Sequence, residues 1–426
     1  MTTPPRSADR PAARPVASAE PVIVTVNGGS SSIKVSIAPA SASQPRSQAR
    51  SQRFFTGVLE RIGTPAATLS VRTAAAAAHL VQLPAATFEG AISGIVDALK
   101  AAIGTAPVLG VGHRIVHGGL TLHDHQLITP AVLARLNQAR PLDLAHLPRE
   151  IALIESFAAA FPDAKQVACF DTAFHRDMPR VAQLLPIPRR YFRDGLRRFG
   201  FHGLSYTYLM EQLALIAGTE RASGRVIVAH LGSGASMAAV HRGKPIDTTM
   251  SFTPMSGLVM GTRPGDVDPG LFIYLLTTGQ LSTTQLDDML STKCGLLGVS
   301  ETSADMRDLL AARANDARAA EAVDLFCAQA RKNLCALAGT LGGLDTLIFS
   351  GGIGEHCPEV RAGICDGLEF IGVTLDQSKN ASGQEIISAE SGHPSRPSPF
   401  PNVTVRVMPT DEESVIVDVV REIVGT

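Results

Sequence analysis

The octet Asn27-Gly-Gly-Ser-Ser-Ser-Ile-Lys34 gathers groups suited to holding an anion. Val22, Val24 and Val26 alternate with Ile23 and Thr25 before it, and Ile33, Val35 and Ile37 resume the alternation after it. Two strands are therefore joined by a turn that Gly28 and Gly29 allow to reverse tightly. Side chains repeat every two residues along a strand, so Ser30, Ser32 and Lys34 share one face. Hydroxyls and an ammonium then sit beside amides freed by the glycines, which is a phosphate-cradling turn. The P-loop pattern G-x-x-x-x-G-K-[ST] occurs nowhere in the chain, and no helical pattern follows Lys34. For this octet alone, a serine-rich turn with a chance lysine is the plain alternative.

Other segments repeat the plan of strand, then polar or glycine-rich end. Arg225-Val-Ile-Val-Ala-His-Leu-Gly-Ser-Gly-Ala-Ser-Met-Ala-Ala-Val240 restates strand, Gly/Ser turn, strand about 200 residues further on, as a domain duplication would. Val108 to Gly119 reads as a strand ending in His113, Arg114 and His117, and Val167 to His175 as a buried strand ending in Asp171 and His175. Polar groups at the ends of buried strands mark sites in α/β folds. A third glycine turn, Phe349 to Glu355, follows the strand Thr346 to Phe349 and precedes a helical stretch from Val360 to Phe370. Phe88, Ile92, Ile95, Val96 and Leu99 predict a helix over Thr87 to Ile103. Residues 38–53 read as a polar loop or hairpin extension, and 388–401 as a Ser/Pro-rich loop before the strand Val403 to Val407. Thr410 is the expected N-cap of a final amphipathic helix.

A chain of 426 residues supports two domains with a cleft between them. Lys and Arg total 38 against 39 Asp and Glu, a net charge of -1, so no global field recruits nucleic acid or an anionic membrane. There is no apolar run long enough to cross a bilayer. Cys169, Cys294, Cys327, Cys335, Cys357 and Cys365 lack C-x-x-C spacing and read as reduced core thiols, which suits the cytoplasm. Residues 1–20, rich in Pro, Ala, Arg and Ser, read as a disordered tail, with an Arg-bearing targeting peptide as the alternative.

Three glycine turns on one chain, two in matched settings, suggest a nucleotide whose phosphates lie between two lobes while its base and ribose rest on the turn at 351–354. This duplicated plan resembles the superfamily of sugar kinases, chaperone ATPases, actin and acetate kinase. Within it, Asn27 to Lys34, Gly112 to Gly119, Phe170 to His175, Phe201-His-Gly203, Met260 to Arg263, Asp305-Met-Arg307, Gly351 to Glu355 and Thr410 to Glu413 are similar, in order, to the signature segments of the acetate kinase family.

The resemblance implies an α/β fold of duplicated ribonuclease H-like (actin-like ATPase) domains with the active site in the cleft between them. The N-terminal domain would take residues 21–171 plus 413–426, and the C-terminal nucleotide-binding and dimerisation domain residues 172–412. It also implies a homodimer and reversible transfer of the ATP γ-phosphoryl group to acetate, or alternatively propionate. Arg114 then resembles the arginine that binds the carboxylate, and Arg263 the one that steadies the equatorial oxygens in flight. His202 resembles the histidine that donates to the phosphoryl group, although a lone histidine beside phenylalanines is more often a core residue. Asp171 is similar to the family's catalytic aspartate. A carboxylate acceptor is already ionised at neutral pH and needs no general base, so Asp171 is assigned to positioning Mg2+ and its waters.

Asn27 and Glu412 are the implied ligands of Mg2+, with Mn2+ able to replace it. Lys34, His230, Gly232, Ser233, Gly234, Asp305, Met306, Arg307, Gly351, Gly352, Ile353, Gly354 and Glu355 fall on nucleotide-binding positions, and Val116, Phe201 and Pro254 on the walls of the acyl pocket. His117, His146 and His175 match family histidines near the site and rank lower, while His123 and His125 read as surface residues. The chain departs from the family pattern at several places. Ser233, Leu147 and His356 stand for asparagines, Ala145 for a leucine, Phe199 for a tyrosine, Tyr206 for a histidine and Ser256 for a glutamate. The smaller Ala145 makes room for propionate, since one methylene is discriminated by only ~1–3 kcal/mol. Two other readings compete: a kinase of a hydroxyl-bearing substrate, against which two arginines and a small apolar pocket speak, and a non-catalytic nucleotide-binding module.

Overall fold

β1 (Val22–Gly28) and β2 (Ser32–Pro39) pair antiparallel, and Gly29 closes the turn by donating its amide to the Ser32 carbonyl. The computed structural model describes residues 20–29, 32–41, 53–60, 62, 67–73, 76–82, 87–144, 146–390 and 402–425. Ser30, Ala145, the tail at 1–19 and most of the loop at 388–401 lie outside the described residues. So does 42–52, most of the polar segment.

Eight strands form the first sheet. They are β1, β2, β3 (Phe55–Glu60), β4 (Thr68–Thr73), β5 (Ala76–Gln82), β6 (Val108–Ile115), β7 (Gln126–Leu127) and β8 (Lys165–Phe170), in the order β5-β4-β3-β2-β1-β6-β8-β7. The second sheet contains β9 (Arg225–Leu231), β10 (Ala235–His241), β11 (Lys244–Thr248), β12 (Thr346–Ser350) and β13 (Thr404–Val407), in the order β11-β10-β9-β12-β13. The run β3-β2-β1-β6-β8 and the whole second sheet share one plan: three antiparallel strands, then two that run parallel to the first. The duplication expected from two glycine turns thus extends over ten strands.

Apolar faces decide how these sheets are covered. The predicted helix forms at Phe88–Ile103, capped by Thr87, and packs with helix Leu147–Ala160 on one face of the first sheet. Helix Glu412–Val424 covers the other face through Ile416 and Val420. A Cβ at Gly112 would stand 2.3 Å from Ile416 Cγ2, so β6 needs glycine there for the helix to lie this close. Helix Gly203–Ala217 joins the two halves: Leu204 enters the core beneath the first sheet, and Leu209 and Leu213 enter the core of the second. Helix Ala317–Leu341 covers the second sheet's opposite face.

β3, β4 and β5 extend the first sheet past the polar segment, with burial alternating along β3 and β4. Two local expectations change. The glycines after β12 are themselves helical, and the helical stretch expected over 360–370 begins earlier and is shorter. Gly351, at a φ of 76°, turns straight into helix Gly351–His356, and Pro358 opens a second helix that ends at Cys365. The N-cap of the last helix is Asp411 instead of Thr410. The carboxylate accepts from the Ser414 amide and hydroxyl, and as an anion it suits the positive helix end better than a hydroxyl does.

Candidate active site

The C-terminal ends of the parallel strands from both sheets meet at one cleft of about 860 Å³. Asn27 ends β1, Arg114 closes β6 and Asp171 follows β8. From the second sheet come His230 and the Gly232-Ser233-Gly234 turn between β9 and β10, and Gly351 after β12. Asn27, Lys34, Arg114, Val116, His202, His230, Gly232, Ser233, Gly234, Asp305, Met306, Arg307, Gly351, Gly352, Ile353, Glu355 and Glu412 line the cleft, as does Arg263. Asp171, Phe201, Pro254 and Gly354 stand behind the lining among the described residues.

Arg114 organises the side of the first sheet. Its Nε and Nη2 donate to Asp171 Oδ2 at 3.0 and 2.6 Å, and its Nη1 donates to Asn27 Oδ1 at 3.0 Å. A guanidinium carries five N–H groups, so two remain for a ligand. Burial works against its charge, but Asp171, Glu412 and Glu150 outweigh it and raise the pKa above the usual arginine value. Asp171 is 1 % exposed, and burial holds its carboxyl above the ordinary range despite the guanidinium beside it. Its second oxygen, Oδ1, is buried with no hydrogen-bond partner among the described residues.

Asn27 Nδ2 donates to Glu412 Oε2 at 2.9 Å. Burial would raise the Glu412 pKa, but Arg114, His230, Asn27 and Lys34 outweigh it and hold the carboxyl below its ordinary range. Glu413 beside it behaves oppositely: burial and the neighbouring Glu412 push it up. Among the described residues no group of three or more His, Cys, Asp or Glu side chains forms a metal cage. The donors are instead hard oxygens of Asn27 and Glu412, with the orphaned Asp171 Oδ1 behind Arg114. Such a set fits Mg2+, which takes one or two protein oxygens and leaves the rest to phosphate and water.

On the other side Arg263 donates from Nη1 to the Pro254 carbonyl at 2.6 Å. Burial lowers its pKa to about 10, which still leaves it charged at neutral pH. His202 sits at a φ of 59° just before helix Gly203–Ala217, whose Gly203 amide donates to the Asp171 carbonyl. Its Nδ1 lies 2.8 Å from Ser236 Oγ, and its ring stacks on His230 with centroids 4.4 Å apart. Burial first, then His230, Arg114 and Arg263, hold the His202 pKa well below its ordinary value. A Cβ at Gly234 would stand 2.7 Å from Arg263 Nη2 and 3.3 Å from His202 Nε2. Both donors therefore converge over the bare glycine.

The remaining histidines divide by burial. His146 lines the cleft, with Nδ1 3.0 Å from Asp143 Oδ1. His117 and His175 are core residues: Nε2 of His117 donates to the Phe252 carbonyl and Nε2 of His175 to that of Phe201. His125 is half-buried, and its Nδ1 accepts the Phe170 amide at 3.0 Å at the end of β8 next to Asp171. Several participants lie outside every signature segment. Both carboxyl oxygens of Glu150 accept the Val116 amide at 3.2 Å, Ser236 holds His202 and Asp143 holds His146. Ser236 had one available signal, since the strand alternation puts it on the face of Gly234.

At the far end Asp305 caps helix Met306–Ala312 and pairs with Arg307, itself 82 % exposed. Arg361, fully buried, donates to the carbonyls of Gly354 and Glu355 and so secures the glycine helix from behind.

Comparison with known proteins agrees with this geometry. The chain is 39% identical over 398 residues to an acetate kinase of Rhodopseudomonas palustris (strain TIE-1), covering 93% of this chain and 96% of that one. A propionate kinase structure from Francisella tularensis superimposes with a TM-score of 0.81 at 32% identity, covering 93% of this chain and 98% of the other. An acetate kinase structure from Porphyromonas gingivalis gives 0.80 at 32% identity, covering 94% and 99%. With the acetokinase family profile matching residues 22–418, the chain belongs to the acetokinase family.

Proposed function

We propose that the protein transfers the γ-phosphoryl group of ATP to acetate, giving acetyl phosphate and ADP, and catalyses the reverse. The supporting observation is the convergence of Arg114, Arg263 and His202 on one cleft between the two glycine turns. Two anions must approach each other there, and these groups supply the opposing charge and hydrogen bonds. The two free N–H groups of Arg114 orient the acceptor carboxylate against Val116. One carboxylate oxygen attacks phosphorus in line as the bond to the ADP oxygen breaks. Arg263 and His202 face the equatorial oxygens. No proton is removed from the acceptor and no general base is needed: Asp171 holds Arg114 through Oδ2 and would help position Mg2+ and its waters. A Mg2+ ion held by Asn27 and Glu412 would supply charge neutralisation at the β- and γ-phosphates. Lys34 and the turn at 232–234 take the phosphates, while Asp305, Met306, Arg307 and the 351–355 segment take the nucleoside end.

The test is hydroxylamine trapping of acyl phosphate with Mg-ATP and acetate, propionate or butyrate. Hydroxamate is expected with acetate; none from any acid would end this proposal. Propionate is a second acceptor, favoured by the likeness to a propionate kinase structure. The domain division at 171/172 and 412/413 and a cytoplasmic location belong to the same proposal. Free thiols among the six cysteines support that location. A second copy is the proposed cover for helix Pro269–Thr277, where Ile273 and Tyr274 are 62% and 56% exposed. Sedimentation should find a dimer that Ile273→Asp converts to monomer; a monomeric parent protein would refute it.

A further inference from the structure

A buried hydrogen-bond chain behind His202 determines which ring nitrogen carries its proton. Tyr206 and Ser236 are both 0 % exposed, one on helix Gly203–Ala217 and the other on β10. The Tyr206 hydroxyl is hydrogen-bonded to Ser236 Oγ, which in turn lies 2.8 Å from His202 Nδ1. Among the described residues these are the only hydrogen-bond partners of the phenol and the serine hydroxyl.

Counting protons along the chain leaves one arrangement with every donor satisfied. The phenol has a single hydrogen and a single neighbour, so it donates to Ser236 Oγ. Burial pushes the phenol's pKa up, so it keeps that hydrogen at any physiological pH. The serine hydrogen then has only His202 Nδ1 to receive it. If Nδ1–H donated instead, Ser236 would accept twice and its own buried hydrogen would be left without an acceptor, at a cost comparable to a lost hydrogen bond. Since burial and the surrounding cations keep the imidazole neutral, its hydrogen lies on Nε2. Nε2 is the atom that converges with Arg263 over Gly234.

We propose that Tyr206 is a positioning residue: through Ser236 it holds His202 in the tautomer that presents Nε2–H, a donor, to the transferring phosphoryl group. Its catalytic consequence rests on the kinase reading above; the tautomer does not. With the opposite tautomer, Nε2 would turn a lone pair toward phosphate oxygens. Position 206 is also one where this chain departs from the family pattern. A histidine there has both a donor and an acceptor nitrogen, whereas a protonated phenol always carries one hydrogen to donate.

The experiment is a two-bond proton–nitrogen spectrum of the full chain labelled with 15N-histidine, His202 being assigned by its loss in His202→Gln. The parent protein is expected to show an acceptor-type Nδ1 and a donor-type Nε2. In Tyr206→Phe the serine hydroxyl is released and can accept from Nδ1–H, so the two tautomers mix. The turnover number should fall ~10- to 100-fold, the scale of losing part of one preorganised donor, with KM for ATP and carboxylate within about twofold. Ser236→Ala should reproduce both effects, and the double variant should be no worse than the more affected single one. A parent His202 protonated on Nδ1 overturns the proposal. So does a Tyr206→Phe protein that loses turnover while His202 keeps the Nε2–H form, since the phenol is then merely structural. A shifted tautomer with unchanged turnover overturns the catalytic role. If the protein forms no acyl phosphate at all, the spectrum still decides the tautomer.

Discussion

At the scale of single residues, the two arginines differ in what depends on them. Arg114 is the partner of a carboxylate that is 1 % exposed, whereas the hydrogen bond found for Arg263 goes to the Pro254 carbonyl. Removing a buried ion-pair partner leaves the other charge stranded, at ~3 kcal/mol or more. Arg263→Ala is therefore expected to cut kcat by ~10³-fold with a near-parental melting temperature. Arg114→Ala should lose comparable activity and stability as well. Equal melting temperatures for the two variants would contradict the role given to Asp171. The motifs identified both arginines, because each lies within an ordered signature, but not this difference, which depends on the distance to Asp171.

At the scale of elements, the β9–β10 turn is where backbone and catalytic side chains meet. Gly234 has no side chain, and the space a Cβ would fill lies 2.7 Å from Arg263 Nη2. Gly234→Ala is expected to displace the guanidinium, lowering kcat at least ~10-fold while β9 and β10 still pair, so circular dichroism stays parental. Full activity in that variant would show the convergence of donors to be incidental. Both glycine turns were legible because apolar strand-like segments flank each of them. β5 was not, because Ala76, Ala77 and Ala78 show no strand alternation and favour helix by propensity. The helix at Gly351 was misplaced for a related reason: glycine disfavours helix interiors, and tertiary contacts such as Arg361 on its last carbonyls hold the turn.

At the scale of the whole molecule, buried histidines make stability depend on pH. Burial lowers His113, His117 and His175 from 6.5 to about 4. Between those values the unfolded chain binds protons that the native one does not, so native stability is full above pH ~6.5 and declines as pH falls toward 4. Each ring contributes on the order of 3 kcal/mol, at ~1.4 kcal/mol per unit. Calorimetry should show the melting temperature dropping steadily from pH 7 to 4.5; a flat profile would mean that these rings are wet.

The sequence by itself determined the phosphate turns, the duplicated plan, the ordered signatures and the charged groups around them. All of these are written in local spacing, where strand alternation and glycine act over a few residues. Tertiary structure decided what those groups do to one another. Asn27 meets Glu412 across 385 positions, Arg114 meets Asp171 across 57, and His202 meets Ser236 across 34. Such meetings follow from which sheet edges and helix ends the cores bring together, and a pairing between distant side chains leaves no periodic trace along the chain. Tyr206 shows the difference: in sequence it is a tyrosine where the family has a histidine, and in the fold it is the far end of the hydrogen-bond chain that reaches His202.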